Sequence, residues 1–450
     1  MWIPRYAYKI RYFKDETMAK ETKEKTKYGY IDVVFMYGTS NDLCLNLKGE
    51  IVTLPEGYKV HPAFQKMVES TEDASGDAET GNQLGRWSVE LPGIWFAKYE
   101  TSQEDFSGDK WIATEDSYGG ANATLNTDVK RIVSKPSRIS SNHIRMLNIF
   151  NNSVNMNKEL NSHLIKNSEW GAMAYLTHSR YGRNGHETGE NQSSDFYTGG
   201  GPGSGESDVY NDYYTCTLEE FNNEYAWNTE QGKLASTTGN LYGVYDVVGN
   251  SWEYTSSYLN NTSANITRYG GELGRTTDMR LKQVYRSSNG LVGRYGAQDY
   301  DFNKDIYGDA IYETSISNTG IESTWQNAWA EFPFNGYVFI GRNGGRSIFS
   351  YDMATGTGEY VGLGYRLGIC VGEEFKLTFN ANGGTISENS LTTIEKKFNN
   401  GNIFGTLPEA TREGYTFAGW YLGSENGTEI TAETFADIKT RGKTVYAKWE

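Results

Sequence analysis

Three short stretches carry residues whose types and spacing suit chemistry. In QDYDFNKDIYGD, residues 298–309, Asp299, Asp301, Asn303 and Asp305 fall at alternate positions. Calcium takes carboxylate and carbonyl oxygens at such spacing. The run lacks the glycine and closing glutamate of a helix-loop-helix calcium loop, so an ordinary acidic turn is the competing reading. In GNLYGVYDVVGNSWEYTSSY, residues 239–258, Asp246 and Glu253 stand among glycines and aromatics. That pattern fits an active site, a ligand-binding surface or the centre of a fold. In GPGSGESD, residues 201–208, serine stands among glycines without a strand-to-helix context, which reads as a linker rather than a nucleophile elbow.

Other chemistries find little to use. No phosphate-binding glycine loop has a convincing match. Many acids are present, but nothing singles out two as a glycosidase pair. Cys44, Cys216 and Cys370 are far apart and none is in a CxxC pair, which argues against a disulfide framework and a paired-cysteine zinc site. His61, His143, His163, His178 and His186 show no HxxxH spacing. His163 reads as a packing or helix-capping residue.

The chain has 450 residues, room for two or three domains. Aromatic residues make up 14% and there are 51 Gly, the mark of an aromatic-rich, turn-rich globular protein. The net charge of −15 excludes a non-specific nucleic-acid binder, which needs clustered Lys and Arg. No apolar run reaches the roughly 20 residues of a membrane-spanning helix, and no signal peptide is visible at the start.

The elements that would position these residues come next. WIPRYAYKIRYF, YGYIDVVFMYG and LPGIWFAKYETS alternate large apolar and polar residues and predict three strands. SNHIRMLNIFNNSVNMNKELN predicts an amphipathic helix capped by Ser141 or Asn142. NSEWGAMAYLTHSRYG predicts a second helix, capped by Ser168, facing inward through Trp170, Met173, Ala174 and Leu176, and ended by Gly182. Residues 182–371 show little regular pattern before LGYRLGICV, a final strand. Strands followed by two helices give an α+β expectation. Composition shifts at Glu373, and residues 374–450 read as a separate β-rich module with a short helical turn at TAETFADIK.

That module resembles the internalin-type B repeat, or Listeria–Bacteroides repeat, through FNANGG, LPEATREGYTFAGWY and VYAKWE. The resemblance implies a small β-grasp-like spacer or adhesion domain without chemistry. Tyr415, Phe417, Trp420, Tyr446 and Trp449 are expected to form most of its core. Residues 1–372 resemble the formylglycine-generating-enzyme-like (sulfatase-modifying factor) branch of the C-type-lectin fold. The resemblance rests on WIPRYAYKI, LPGIWFAKYETS, LIKNSEWGAMAYL, GVYDVVGNSWEY and GYRLGICV. Its signature falls on Gly243, Tyr245, Asp246, Gly249, Asn250, Trp252, Glu253 and Arg366.

The resemblance implies an irregular, loop-rich C-type-lectin-like domain with two helices and small sheets. It leaves a structural calcium open and no other cofactor. The paired cysteines that bind copper in the enzyme have no counterpart here, so the expectation is no enzyme. Asp246, Asn250 and Glu253 are expected to bond neighbouring backbone, with Tyr245, Trp252 and Tyr254 facing a core. A ligand face is expected in the Tyr-, Asn-, Ser- and Gly-rich loops, at Tyr118, Tyr197, Tyr213, Tyr214, Arg342, Arg346 and Tyr351. The expected partner is a surface protein or a glycan, and the expected place is the bacterial cell envelope or a phage surface. The alternatives are an envelope protein with no specific ligand and a formylglycine-type oxidase.

Overall fold

The computed structural model describes residues 1–12, 29–67, 85–103, 132–141, 144–157, 160–191, 197–199, 226–286, 306–311, 313–314, 330–343, 347–357, 363–370, 374–387, 390–399, 404–434, 436 and 442–450. Strand outweighs helix, 36% against 15%, and the strands are spread over many small sheets. The expected α+β C-type-lectin-like class is therefore corrected to a β-rich fold. The sequence explains the difference. Its apolar residues come in short bursts between Gly and Asn, which suits short strands better than helices.

Two sheets organise the larger part. One is antiparallel, in the order Trp2–Pro4, Gly93–Phe96, Leu367–Ile369, Ser162–Leu164. The other is ordered Gln283–Arg286, Trp252–Asn260, Phe339–Arg342, Tyr351–Ala354, and Leu363–Tyr365 also pairs with Trp252–Asn260. A third sheet joins Gly29–Phe35, Tyr6–Tyr12 and Lys59–Val60.

Two of the strands expected as single pieces are broken at a buried arginine. WIPRYAYKIRYF splits at Arg5, where the chain leaves the first sheet for the third. LGYRLGICV splits at Arg366, where it passes from the second sheet to the first. At such a crossover nearby carbonyls lack ladder partners, and a buried guanidinium supplies up to five donors to them. Arg5 donates to the carbonyls of Phe64 at 2.5 Å and Leu91 at 3.1 Å, and pairs with Glu90 at 2.6 Å.

The strand Trp252–Asn260 has no period-two pattern because it is buried along nearly its whole length. Its hydroxyls are consumed internally. Thr255 Oγ1 donates to the Ile340 carbonyl at 3.1 Å and Ser256 Oγ to that of Leu164 at 2.9 Å. Ser257 Oγ accepts from the Asn167 backbone at 2.8 Å.

The first helix, α1, spans Met146–Met156, with Met146, Ile149, Phe150 and Ser153 buried at helical spacing. It starts after Arg145, so Ser141 does not cap it, and Asn142 lies outside the described residues. The second, α2, spans Asn167–His178 and is buried on every side, with only Leu176 partly exposed. Ser168 lies inside α2, not at its cap. Glu169 instead accepts the Lys166 backbone N–H at 2.9 Å, the return half of a capping box. The helix stops at Ser179, before Gly182.

Close packing around α2 yields a test. A Cβ on Gly171 would sit 2.0 Å from the Gly308 carbonyl oxygen and 2.8 Å from Asp309 Cα. Backbone cannot step aside as a flexible side chain can. Gly171→Ala is expected to destabilise the protein by about 3 kcal/mol, read from the urea midpoint, as overpacking does. A loss under about 1 kcal/mol would show that the contact relaxes freely.

Residues 374–450 carry their own apolar cluster and a five-stranded sheet ordered Thr393–Asn399, Glu374–Asn380, Thr444–Trp449, Phe417–Leu422, Thr428–Ile430. Trp420 is buried at its centre beside Phe375, Leu377, Phe379, Val445 and Ala447. Phe417 and Trp449 pack against this cluster, but Tyr415 is half exposed under the Arg412 guanidinium and Tyr446 is only partly buried. The core is thus more aliphatic than the aromatic count predicts, because alternate strand positions turn Tyr446 to the opposite face from Val445 and Ala447. The described part of TAETFADIK forms turns rather than a helix.

Candidate functional site

The stretch DVVGNSWE sits where the two main sheets meet, around the crossover at Arg366. Asp246 and Asn250 adopt left-handed backbone, at φ 60° and 61°, a conformation that Asp and Asn tolerate best after glycine. Gly249, at φ 82°, has no room for a side chain, since a Cβ there would lie 2.1 Å from the Asn191 carbonyl oxygen. This irregular backbone leaves carbonyls to be satisfied by side chains. Asn343 Nδ2 serves those of Asp246 and Ser251 at 2.9 Å each, and that of Gly249.

Arg366 is fully buried and uses every nitrogen. Nε and Nη2 bond both oxygens of Glu253, at 3.1 and 2.5 Å. Nη1 donates to the Ala97 carbonyl at 2.9 Å, and Nη2 to those of Tyr245 at 2.8 Å and Asp246 at 3.2 Å. Asp246 accepts from Asn191 Nδ2 at 2.8 Å and from the Gly199 backbone at 2.9 Å. Glu100, which sequence reasoning missed, accepts from the Ser251 backbone at 3.1 Å and Asn250 Nδ2 at 2.8 Å. Nothing in AKYETS marks Glu100, because its partners lie 150 and 151 positions away.

Three buried carboxyl groups thus surround one guanidinium. Burial raises Glu100 well above the usual carboxylate range, with Glu253 and Asp246 adding to it. Burial also lifts Asp246 to about 6 and Glu253 to about 7, against the pull of Arg366. Burial would lower Arg366, but Glu253, Glu100 and Asp246 outweigh it and raise it. Such shifts often mark catalytic groups. Here all three carboxyls are 0% exposed and hydrogen-bonded within the fold, so the arrangement holds backbone together.

The other signature residues divide. Tyr245 is buried and donates to the Trp227 carbonyl at 2.7 Å, and Tyr254 is buried in the apolar cluster that includes Ile149, Phe339 and Tyr365. Trp252 is partly exposed, so it faces the core less than expected. A Cβ on Gly243 would meet Ser236 Oγ and Thr238 Oγ1 at 2.7 Å.

The expected ligand face fares differently. Tyr197 and Tyr351 are 4% and 3% exposed and Arg342 is 0% exposed, so these three are interior residues and not a loop surface. Arg342 lies between the rings of Trp170 and Tyr351, donating to the carbonyls of Asp309 and Ala310. They were misplaced because aromatic and Arg residues among glycines read alike in a binding loop and in an irregular core. Tyr118, Tyr213, Tyr214 and Arg346 lie outside the described residues, as do Asp299, Asp301, Asn303 and Asp305 of the calcium run. Asp309, at the end of that run, is buried and accepts from Tyr285 Oη at 2.7 Å.

A second buried polar group lies against α2. His163 Nε2 is 2.9 Å from Glu169 Oε2, and Lys166 Nζ is 2.9 Å from Glu169 Oε1. Burial alone would raise Glu169, but His163 and Lys166 hold it down at about 2. Cys370 joins them. One donor atom from each of His163, Glu169 and Cys370 lies within 4.8 Å of the other two. The other buried histidines form no such group among the described residues: burial pushes His61 well below its ordinary range and His178 to about 3.

The architecture is that of a β-rich protein with a separate small β module. Residues 375–448 match the family model of the Listeria-Bacteroides repeat domain, which is typical of bacterial surface proteins. A search of curated proteins returns no match to the chain. The comparisons lend no support to a formylglycine-generating-enzyme-like or C-type-lectin domain in residues 1–372. No described helix is long and apolar enough to cross a membrane.

Proposed function

We propose that this is a non-catalytic bacterial surface protein that binds a surface protein or glycan through its larger part, with the repeat as spacer. The match of residues 375–448 to a repeat family typical of bacterial surface proteins carries this reading. Its non-catalytic side is supported by the burial of the shifted acids Glu100, Asp246 and Glu253, each committed to internal hydrogen bonds. A structural calcium at Asp299, Asp301, Asn303 and Asp305 belongs to the same proposal.

The test is a screen of the purified chain on glycan and bacterial surface-protein arrays, with and without calcium, beside metal analysis. Binding to a narrow ligand class is expected, with no copper or iron retained. Tightly held copper or iron would overturn the non-catalytic reading. Silence across both arrays would favour an envelope protein without a specific ligand.

A further inference from the structure

We propose that His163, Glu169 and Cys370 supply three ligands of a structural zinc site that fills as the chain folds. The three donors come from separate segments. His163 lies in the strand Ser162–Leu164, Glu169 in the first turn of α2, and Cys370 directly after the strand Leu367–Ile369. The pairing of His163 opposite Gly368 brings the thiol close. Their exposures are 0%, 0% and 1%, and their donor atoms converge within 4.8 Å. Imidazole, carboxylate and thiolate together suit zinc better than calcium or magnesium, which prefer oxygen alone.

The hydrogen bonds of His163 point the same way. Nδ1 lies 2.7 Å from the Asn161 carbonyl oxygen, which can only accept, so Nδ1 carries a proton. This is how a metal-ligating histidine is commonly oriented. Nε2 then faces Glu169 Oε2 at 2.9 Å, and a carboxylate oxygen also only accepts. A hydrogen or a metal ion between the two satisfies both.

Zinc would take the place of the hydrogen between His163 Nε2 and Glu169 and of the Cys370 thiol hydrogen, since it binds the bare imidazole nitrogen and the thiolate. Lys166 stays paired with Oε1 at 2.9 Å, while Oε2, which accepts the Lys166 backbone N–H at 2.9 Å, keeps a lone pair for the metal. Trp87 closes the side, edge-on to His163 with ring centroids 5.0 Å apart. With no exposed donor, the ion braces the packing of α2 against the first sheet and meets no substrate.

Because the donors are buried, loading should accompany folding. The full chain is refolded from denaturant with zinc or cobalt, dialysed against metal-free buffer, and measured by elemental mass spectrometry and absorption. Occupancy of one ion per chain at the cluster is expected, with a thiolate-to-cobalt charge-transfer band in the cobalt form. Cys370→Ser and His163→Gln should each lower occupancy at least tenfold. Refolded wild-type chain without zinc, or a cobalt form without the thiolate band, overturns the site even if the variants fail to fold. Undiminished occupancy in a folded Cys370→Ser variant also overturns it.

Discussion

Arg366→Met is expected to unfold the larger part of the chain while residues 375–448 keep their structure. Methionine fills much of the volume but offers no donors. Glu253 would lose both its bonds to the guanidinium, and the carbonyls of Ala97, Tyr245 and Asp246 would lose theirs. Removing one partner of a buried ion pair costs about 3–5 kcal/mol, because the other charge stays behind without compensation. Here two further carboxyls, Glu100 and Asp246, raise the positive shift of Arg366 and would lose the same neighbour. A loss of that size is a large share of the 5–15 kcal/mol typical of domains.

Hydrogen exchange provides the measurement. Amides of the strand Trp252–Asn260 should lose protection, while those of Glu374–Asn380 and Thr444–Trp449 retain it. Arg366→Lys should fall between, since one ammonium cannot reach all four partners. Unchanged protection in Arg366→Met would show that the crossover does not depend on this side chain.

Glu100→Gln is expected to fold and to gain stability over the parent as pH rises. Glu100 has a folded-state pKa raised above its unfolded value by burial and by Glu253 and Asp246. Its favourable contribution is therefore complete below the unfolded value near 4.5 and is lost as pH climbs toward the folded one. Glutamine keeps the shape and never ionises. Asn250 Oδ1 is buried and accepts no hydrogen bond, so a flipped Asn250 amide can accept from the introduced glutamine amide.

The difference in urea midpoint between variant and parent should therefore grow from pH 6 to pH 8, by up to about 1.4 kcal/mol per pH unit for one proton. Comparing the two proteins cancels titrating groups that do not interact with Glu100, such as the Met1 amine, which burial lowers to about 6; Asp246 and Glu253 interact with it, and the difference includes their response. A difference that stays flat, or that shrinks with pH, would mean Glu100 ionises freely in the fold.

Much of the local structure was legible. The alternation in YGYIDVVFMYG and the helical spacing in NSEWGAMAYLTH each found their element, at Gly29–Phe35 and Asn167–His178. These signals are local, so a window of residues carries them. The strand Trp252–Asn260 stayed invisible because burial on both faces erases alternation. The breaks at Arg5 and Arg366 were equally hidden, since each depends on which sheet the next residues join. The ligand residues Arg342 and Tyr351 were misread for the same reason, as their types do not say which side of the surface they occupy.

The sequence by itself determined the boundary of composition at Glu373, the repeat that follows it, and the glycine-bound turns of DVVGNSWE. Those features depend on residue types at short spacing. Only the tertiary structure decided that Arg366 gathers Glu253 beside Glu100 and Asp246, and that Cys370 lies beside His163 and Glu169. Glu100 and Glu253 stand 153 positions apart in the sequence, and His163 and Cys370 stand 207 apart. Apolar burial brings such distant groups together without regard to spacing, and the low dielectric it creates then sets their charge.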